Sequence, residues 1–305
     1  MKVFDVAAIG SGSIDIILSI PALPDKGNKA VGKQLDQQIG GTIANSACVM
    51  SRLGLRVASV SCVGDSDQGK AIVNDFHKFG VNCDFIHVVP GMKANLAVIF
   101  IDATGERSLI YTPGDAHEWN EAKAQEAIQQ SRFLYSMPED IEKFKKLAGF
   151  ARAAGTKVIV DIEPHIGGTR EKLDTILTHS DIAIFNREGF IAGVGVEPQT
   201  QTLKKLQKEY GLDALVVTLD AAGVTGVTAD EAATLPSFNV PVIDTTGAGD
   251  SFNGAFIYAF GQQKPLRDAL AFASATAAIN ISALGARGRL PTAAEVNAFI
   301  SQHAQ

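Results

Sequence analysis

The stretch from residue 122 to residue 210 alternates two kinds of pattern, and few folds accommodate that alternation. Residues 122–130, 141–154, 170–178 and 202–210 carry apolar side chains at helical spacing, whereas 133–136, 157–161 and 182–185 are short apolar runs. A run that is apolar without alternation reads as a strand covered on both faces, and successive parallel strands need a crossover between them. The stretch therefore predicts an α/β fold with a mostly parallel central sheet and helices on both faces. In such sheets ligands collect beyond the carboxyl ends of the strands. Further on, Leu215-Val216-Val217-Thr218 and Val224-Thr225-Gly226-Val227, joined through Asp220-Ala221-Ala222-Gly223, predict a hairpin at one sheet edge.

With 305 residues, 46 % of them apolar, the chain can build a large core, and it reads as a single domain over 1–305. A formal net charge of −6 argues against nucleic acid as a partner, because a duplex binder needs a basic face. Cys48, Cys62 and Cys83 lack metal-like spacing and sit in apolar runs, so they read as reduced thiols of a cytoplasmic protein. The first apolar run is too short for a signal peptide, and no stretch approaches the ~20 apolar residues of a membrane span, so no membrane is expected.

Residues 3–9 predict a buried strand ending in Gly10-Ser11-Gly12-Ser13. Gly10-x-Gly12 opens like a dinucleotide fingerprint, but Asp15 stands where the third glycine belongs and residues 14–20 continue as a strand. An NAD-dependent oxidoreductase is therefore a distant third choice. Residues 29–39 have the polarity of an exposed strand, and 94–102 with 107–112 predict a hairpin around Thr104-Gly105-Glu106. Together the segments at about 14–39 and 94–112 predict a small separate sheet. Between them, 44–53 and 67–79 read as helices and 56–63 and 82–88 as strands; 266–284 and 292–302 read as the last helices.

Asp244-Thr245-Thr246-Gly247-Ala248-Gly249-Asp250 runs into Phe252, Ala255, Phe256, Ala259 and Phe260, spaced as the buried stripe of a helix. Gly247, Ala248 and Gly249 let backbone N–H groups crowd around an anion, and a helix N-terminus adds about half a positive charge. A carboxylate at Asp250 would repel that anion unless something protonated lies between, and an acceptor hydroxyl fits there. Asp250 can then take the hydroxyl's proton while the amides hold the transferred phosphoryl group. Taken alone, Asp250 is equally a favoured residue for a helix start.

That stretch, together with Gly40-Gly41-Thr42-Ile43-Ala44-Asn45, resembles the ribokinase-like (PfkB) family of carbohydrate kinases, and the resemblance spans essentially the whole chain. It implies the ribokinase-like three-layer α/β/α sandwich, the small sheet acting as a lid over the sugar, and a homodimer contact through that lid. It implies ATP and Mg²⁺, with transfer of the γ-phosphoryl group to a hydroxyl of a small carbohydrate. Asp250 is the implied base and Gly247, Ala248 and Gly249 the anion hole. Asp15, Gly41, Thr42, Asn45 and Glu139 match positions that hold the sugar, and Asn186, Thr218, Gly223, Gly249 and Ser274 match positions along the nucleotide. Asp244 and Thr246 match residues beside a monovalent cation, K⁺ in many members.

Three departures from the family pattern stand out. The family has Asn-x-x-Glu where this chain has Asn186-Arg187-Glu188-Gly189, so Glu188, the candidate Mg²⁺ residue, is about 100° out of phase on a helix. Glycine is frequent in the family where Asp220 stands. Arg289 occupies the place of a small polar residue near the cation, either replacing it or facing solvent. Acids at 15, 139 and 250 predict a neutral sugar or polyol, with Lys29, Lys33, Lys93 and Arg107 weighing the other way. Because the lid segments offer few aromatics besides Phe100 and Tyr111, a nucleoside kinase ranks second. A sugar- or nucleotide-binding protein without turnover is the alternative from another class. The six histidines suggest no metal cluster, and His165 reads as a loop residue.

Overall fold

Most strands of this chain fall into two sheets, and a cleft lined from both lies between them. The computed structural model describes residues 2–104, 106–114 and 119–303, so the turn at Gly105 lies outside the described residues. The chain begins β1 (Phe4–Ile9), β2 (Ser13–Ser19), β3 (Lys33–Gly40) and α1 (Thr42–Leu53). Next come β4 (Val57–Val60), β5 (Cys62–Gly64), α2 (Asp67–Lys78), β6 (His87–Val89), β7 (Asn95–Ile101) and β8 (Arg107–Thr112). The alternating region is α3 (Glu121–Gln129), β9 (Ser131–Ser136), α4 (Ile141–Ala154), β10 (Lys157–Ile162), α5 (Arg170–Thr178), β11 (Ile182–Asn186), α6 (Arg187–Val194) and α7 (Thr200–Tyr210). The chain closes with β12 (Ala214–Thr218), β13 (Val224–Val227), β14 (Ala232–Leu235), α8 (Ala248–Gly261), α9 (Leu266–Asn280) and α10 (Ala293–His303).

The central sheet has the order β14-β13-β12-β11-β10-β9-β1-β4, parallel from β12 to β4 and antiparallel at β13 and β14. Its strands are apolar on both faces, and successive residues go to opposite layers. Val6 and Ala8 join the core of α1, α8 and α9, whereas Ala7 and Ile9 join that of α3, α4, α5 and α7. The result is the three-layer α/β/α arrangement. Strand order reverses at β1, with β4 on one side and β9 on the other, and a crevice opens at such a reversal.

The second sheet, β3-β2-β7-β8, pairs β2 and β7 in parallel and both outer strands antiparallel. Its polar β3 is largely exposed, as its sequence requires. Several local expectations change. Residues 56–63 split at Ser61, β4 pairing with β1 and β5 with β6 in a two-stranded sheet. Of residues 82–88 only the end is strand, because Asn82 Oδ1 accepts the Asp84 N–H at 3.1 Å and turns the chain. The 215–227 hairpin is not the edge; β14 lies outside it. The helix expected over 266–284 stops at Asn280. Among the described residues no helix is long and apolar enough to cross a membrane.

Candidate active site

Helix α8 begins at a left-handed cap, Gly247 at φ 76°, and is anchored by buried Phe252, Ala255, Phe256 and Ala259. Phe256 stacks on Phe252 and Phe260 at 6.3 and 5.3 Å, so one apolar stripe fixes the helix rotation and turns its first turn toward the cleft. The Ser251 N–H returns to Gly247 O at 2.8 Å, and the Ala248 N–H to Thr245 O at 3.2 Å. The N–H groups of Gly247, Gly249 and Asp250 have no hydrogen-bond partner among the described residues, as expected for a helix start. Ala248 therefore spends on a turn the amide that the sequence reading placed in the anion hole.

A cleft of ≈ 870 Å³ opens at the strand reversal, past Ile9 at the end of β1 and Ser136 at the end of β9. It brings together Asp15, Gly41, Thr42, Asn45, Glu139, Thr246 and Asp250 from segments far apart in sequence. Gly41 has φ 102°, and a Cβ there would meet Ser11 O at 2.5 Å, so only glycine lets β3 turn into α1 this close to the β1 loop. Asp15 receives the Ser13 hydroxyl at 2.7 Å on Oδ1. Burial raises its carboxyl, against the Ser13 hydrogen bond and the charge of Arg287.

Asp250 Oδ2 accepts the Asn45 side-chain N–H at 2.7 Å. Burial first of all pushes its carboxyl up to about 7; Asn45 and Arg287 oppose that shift, and the negative charges of Glu163 and Asp15 add to it. Beneath lies a polar floor that the sequence did not announce. Fully buried Tyr135 holds its hydroxyl 3.3 Å from Ser46 Oγ, receives Asn253 Nδ2 at 3.2 Å and donates to Asp161 Oδ2 at 3.4 Å. Ser46 in turn donates to the backbone oxygen of Asp250 at 3.0 Å. Glu163, just past β10, also lines the cleft, its carboxyl raised by burial. Its one signal in the sequence was its place at a strand's carboxyl end.

The nucleotide candidates lie elsewhere, across the carboxyl ends of β11 and β12. Asn186 and Thr218 are register partners, and Thr218 pairs with Val224, the neighbour of Gly223. Ser274 stands on α9. Asp220 adopts φ 50°, which explains glycine as the alternative at this turn and which Asp tolerates better than most side chains.

Glu188 is exposed and does not line the cleft. Gly189, at the position of the family's glutamate, has no room for a side chain, since a Cβ would meet Ile162 O at 2.2 Å. Gly189→Glu is accordingly expected to destabilise the fold by roughly 1–3 kcal/mol, a Tm loss of several degrees by thermal unfolding.

Asp244 engages both carboxylate oxygens with backbone, the Thr246 N–H at 2.7 Å and the Gly285 N–H at 2.8 Å. Arg289 is exposed and donates to Ser282 Oγ at 3.2 Å, so the buried arginine of this loop is Arg287, which sequence reasoning passed over. Among the described residues no group of three or more His, Cys, Asp or Glu side chains could hold a metal ion.

A parallel sheet with its crevice at the strand reversal, a second sheet over that crevice and a carboxyl group beside open helix amides define the class of nucleotide-dependent phosphotransferases. The chain belongs to the pfkB family of carbohydrate kinases, whose model matches residues 3–293. It is 28 % identical to a ribokinase of Haemophilus influenzae over 307 residues, covering 98 % of this chain and 99 % of that one. The ribokinase structure from Thermotoga maritima superposes with a TM-score of 0.82 at 27 % identity, covering 98 % and 99 % of the two chains. That of Arabidopsis thaliana ribokinase complexed with ribose and ATP has the same fold, with a TM-score of 0.87 at 23 % identity and the same coverage.

Proposed function

We propose that this carbohydrate kinase transfers the γ-phosphoryl group of ATP to a hydroxyl of a small neutral sugar. The observation that carries the reading is Asp250, its Oδ2 held by Asn45 and its own backbone N–H open at the start of α8. Oδ1 is left to receive the acceptor hydroxyl and take its proton. A base whose carboxyl titrates near neutral pH is matched to that task. The open amides of Gly247, Gly249 and Asp250 stabilise charge on the phosphoryl oxygens, and Asp15 and Asn45 orient the sugar. Asn45 has its Oδ1 on Arg287 and one N–H on Asp250, leaving a lone pair and one N–H for a substrate. Asn186, Thr218, Gly223 and Ser274 support the nucleotide across the sheet, in keeping with the ribose and ATP in the Arabidopsis relative.

The residues present fit a Mg²⁺ ion that would arrive on nucleotide phosphates with its own water, since the cleft offers it a partly buried carboxylate. Glu163, crowded by Glu139, is the cleft carboxylate such an ion would face. When bound, it would neutralise developing charge on the phosphates.

Acids at 15, 139, 163 and 250 favour a neutral acceptor over a phosphorylated one. Tyr111 and Trp119 also line the cleft, which favours as a second reading an acceptor that carries a base. More than half-exposed Leu109, Ile110 and Tyr111 on β8 support a homodimer through the lid. ADP release against a panel of free sugars, sugar phosphates and nucleosides tests the reading. Turnover with a neutral pentose or hexose is expected; turnover with sugar phosphates only would overturn it.

A further inference from the structure

One charged side chain of this region does not itself line the cleft but touches a residue that does. Arg287, in the loop after α9, has a side chain only 7 % exposed. It pairs with Asp75 of α2, lies over the Phe76 ring at 5.8 Å, and sends Nη2 to Gly40 O at 3.3 Å. Its Nε donates to Asn45 Oδ1 at 2.8 Å, and the other end of the same amide donates to Asp250 Oδ2 at 2.7 Å. Asp75, Arg287, Asn45 and Asp250 thus form one unbroken line from α2 to the cleft.

An amide side chain can present either end, and a carboxylate oxygen is attracted only by the nitrogen end. A guanidinium has donors and no acceptor, so whatever faces it must be the amide oxygen. The arginine therefore dictates which end of Asn45 reaches Asp250. We infer that Arg287 is a positioning residue: held by Asp75, it locks the Asn45 amide so that the nitrogen faces Asp250, which keeps that carboxylate oriented and ionised for proton abstraction. The inference rests on Asp250 acting as the base. Around Asp250 stand Asp15 on β2, Tyr135 on β9, Asp161 at the end of β10, Glu163 just beyond it and Arg287 itself; of these, Arg287 supplies the positive charge. Without it, the amide is free to rotate its oxygen toward Asp250, and every remaining ionisable neighbour disfavours the ionised carboxyl.

The test compares the parent with Arg287→Met, Arg287→Lys and the double variant Asp75→Asn/Arg287→Met, which avoids leaving a buried carboxylate alone. The pH profile of kcat is measured, and the Asp250 carboxyl is titrated by ¹³C NMR, its resonance assigned by loss in Asp250→Asn. The methionine variants are expected to lose roughly fivefold in kcat at pH 7, to recover most of it by pH 9, and to show the acid limb and the ¹³C titration moved up by about one unit. KM for MgATP should stay within about threefold. Lysine, which can donate to Asn45 but cannot span Asp75 and Gly40 O as well, should fall between. An unchanged ¹³C titration, or a kcat loss of the same factor at every pH, would overturn the inference. If the parent itself releases no ADP with any acceptor while the ¹³C titration still moves, the kinase reading fails and the positioning role stands.

Discussion

Asp250→Asn is expected to lower kcat by about 10²–10⁴-fold with saturating sugar and ATP, the range over which a lost general base acts. Asparagine keeps the shape and can still accept the Asn45 N–H, so KM values should move far less than kcat. In the parent, turnover needs the ionised carboxyl, so kcat should fall as pH drops through about 7. Stability moves in the opposite direction. The folded carboxyl titrates near 7 rather than at 3.8, so the folded state holds its proton longer than the unfolded chain. Stability contributed by the protonated group is complete below the ordinary carboxylate value and is lost as pH rises through about 7. At pH 8 the parent bears the full cost of an ionised buried carboxyl, and Asp250→Asn should melt at the same temperature or higher. A variant that is as active as the parent, or less stable at pH 8, would contradict this account of the site.

Phe256→Ala is the substitution expected to cost the most stability, about 3–5 kcal/mol for a large aromatic removed from a closed core. Phe256 is fully buried and sits between Phe252 and Phe260 on the stripe that fixes the rotation of α8. For a chain of this length the loss corresponds to a Tm lower by about 5–8 °C, read by calorimetry. Because the same helix carries Asp250 two residues before Phe252, activity measured below the melting transition should also fall. A stable, fully active Phe256→Ala protein would mean that something other than this stripe orients the helix.

How much was legible along the chain depended on whether the relevant interaction was local. The alternation over 122–210 was readable because a strand covered on both faces must be apolar throughout, and the four parallel pairings from β9 to β12 and back to β1 follow that pattern. Gly41 and Gly247 were readable from the motifs that hold them, and the structure adds that both take positive φ at the turn into a helix. The break at Ser61 was not, since one apolar run was shared between two sheets, and β14 was missed because its alternation is short. In the site, Asp15, Asn45 and Asp250 carried motif context, whereas Tyr135, Asp161 and Glu163 looked like ordinary strand and loop residues. Glu188 went the other way: it was near a recognised pattern, yet in the first turn of a helix capped by Asn186 Oδ1 on the Gly189 N–H it is exposed and lies outside the cleft lining.

From order and composition alone came the layered α/β architecture, the family and the acid expected to accept the proton, because apolar periodicity, obligatory turns and a long motif are all written in neighbouring residues. Only the tertiary structure decided which arginine of the Gly285 loop is buried, which end of Asn45 meets Asp250 and how far that acid's ionisation moves. Those outcomes depend on Asp75, Asn45, Asp250 and Arg287 meeting across up to 242 residues of chain, and on how little water remains between them. Hydrogen-bond direction and desolvation are properties of an enclosed space, and that space exists only once the sheet, α1, α2 and α8 have packed around it.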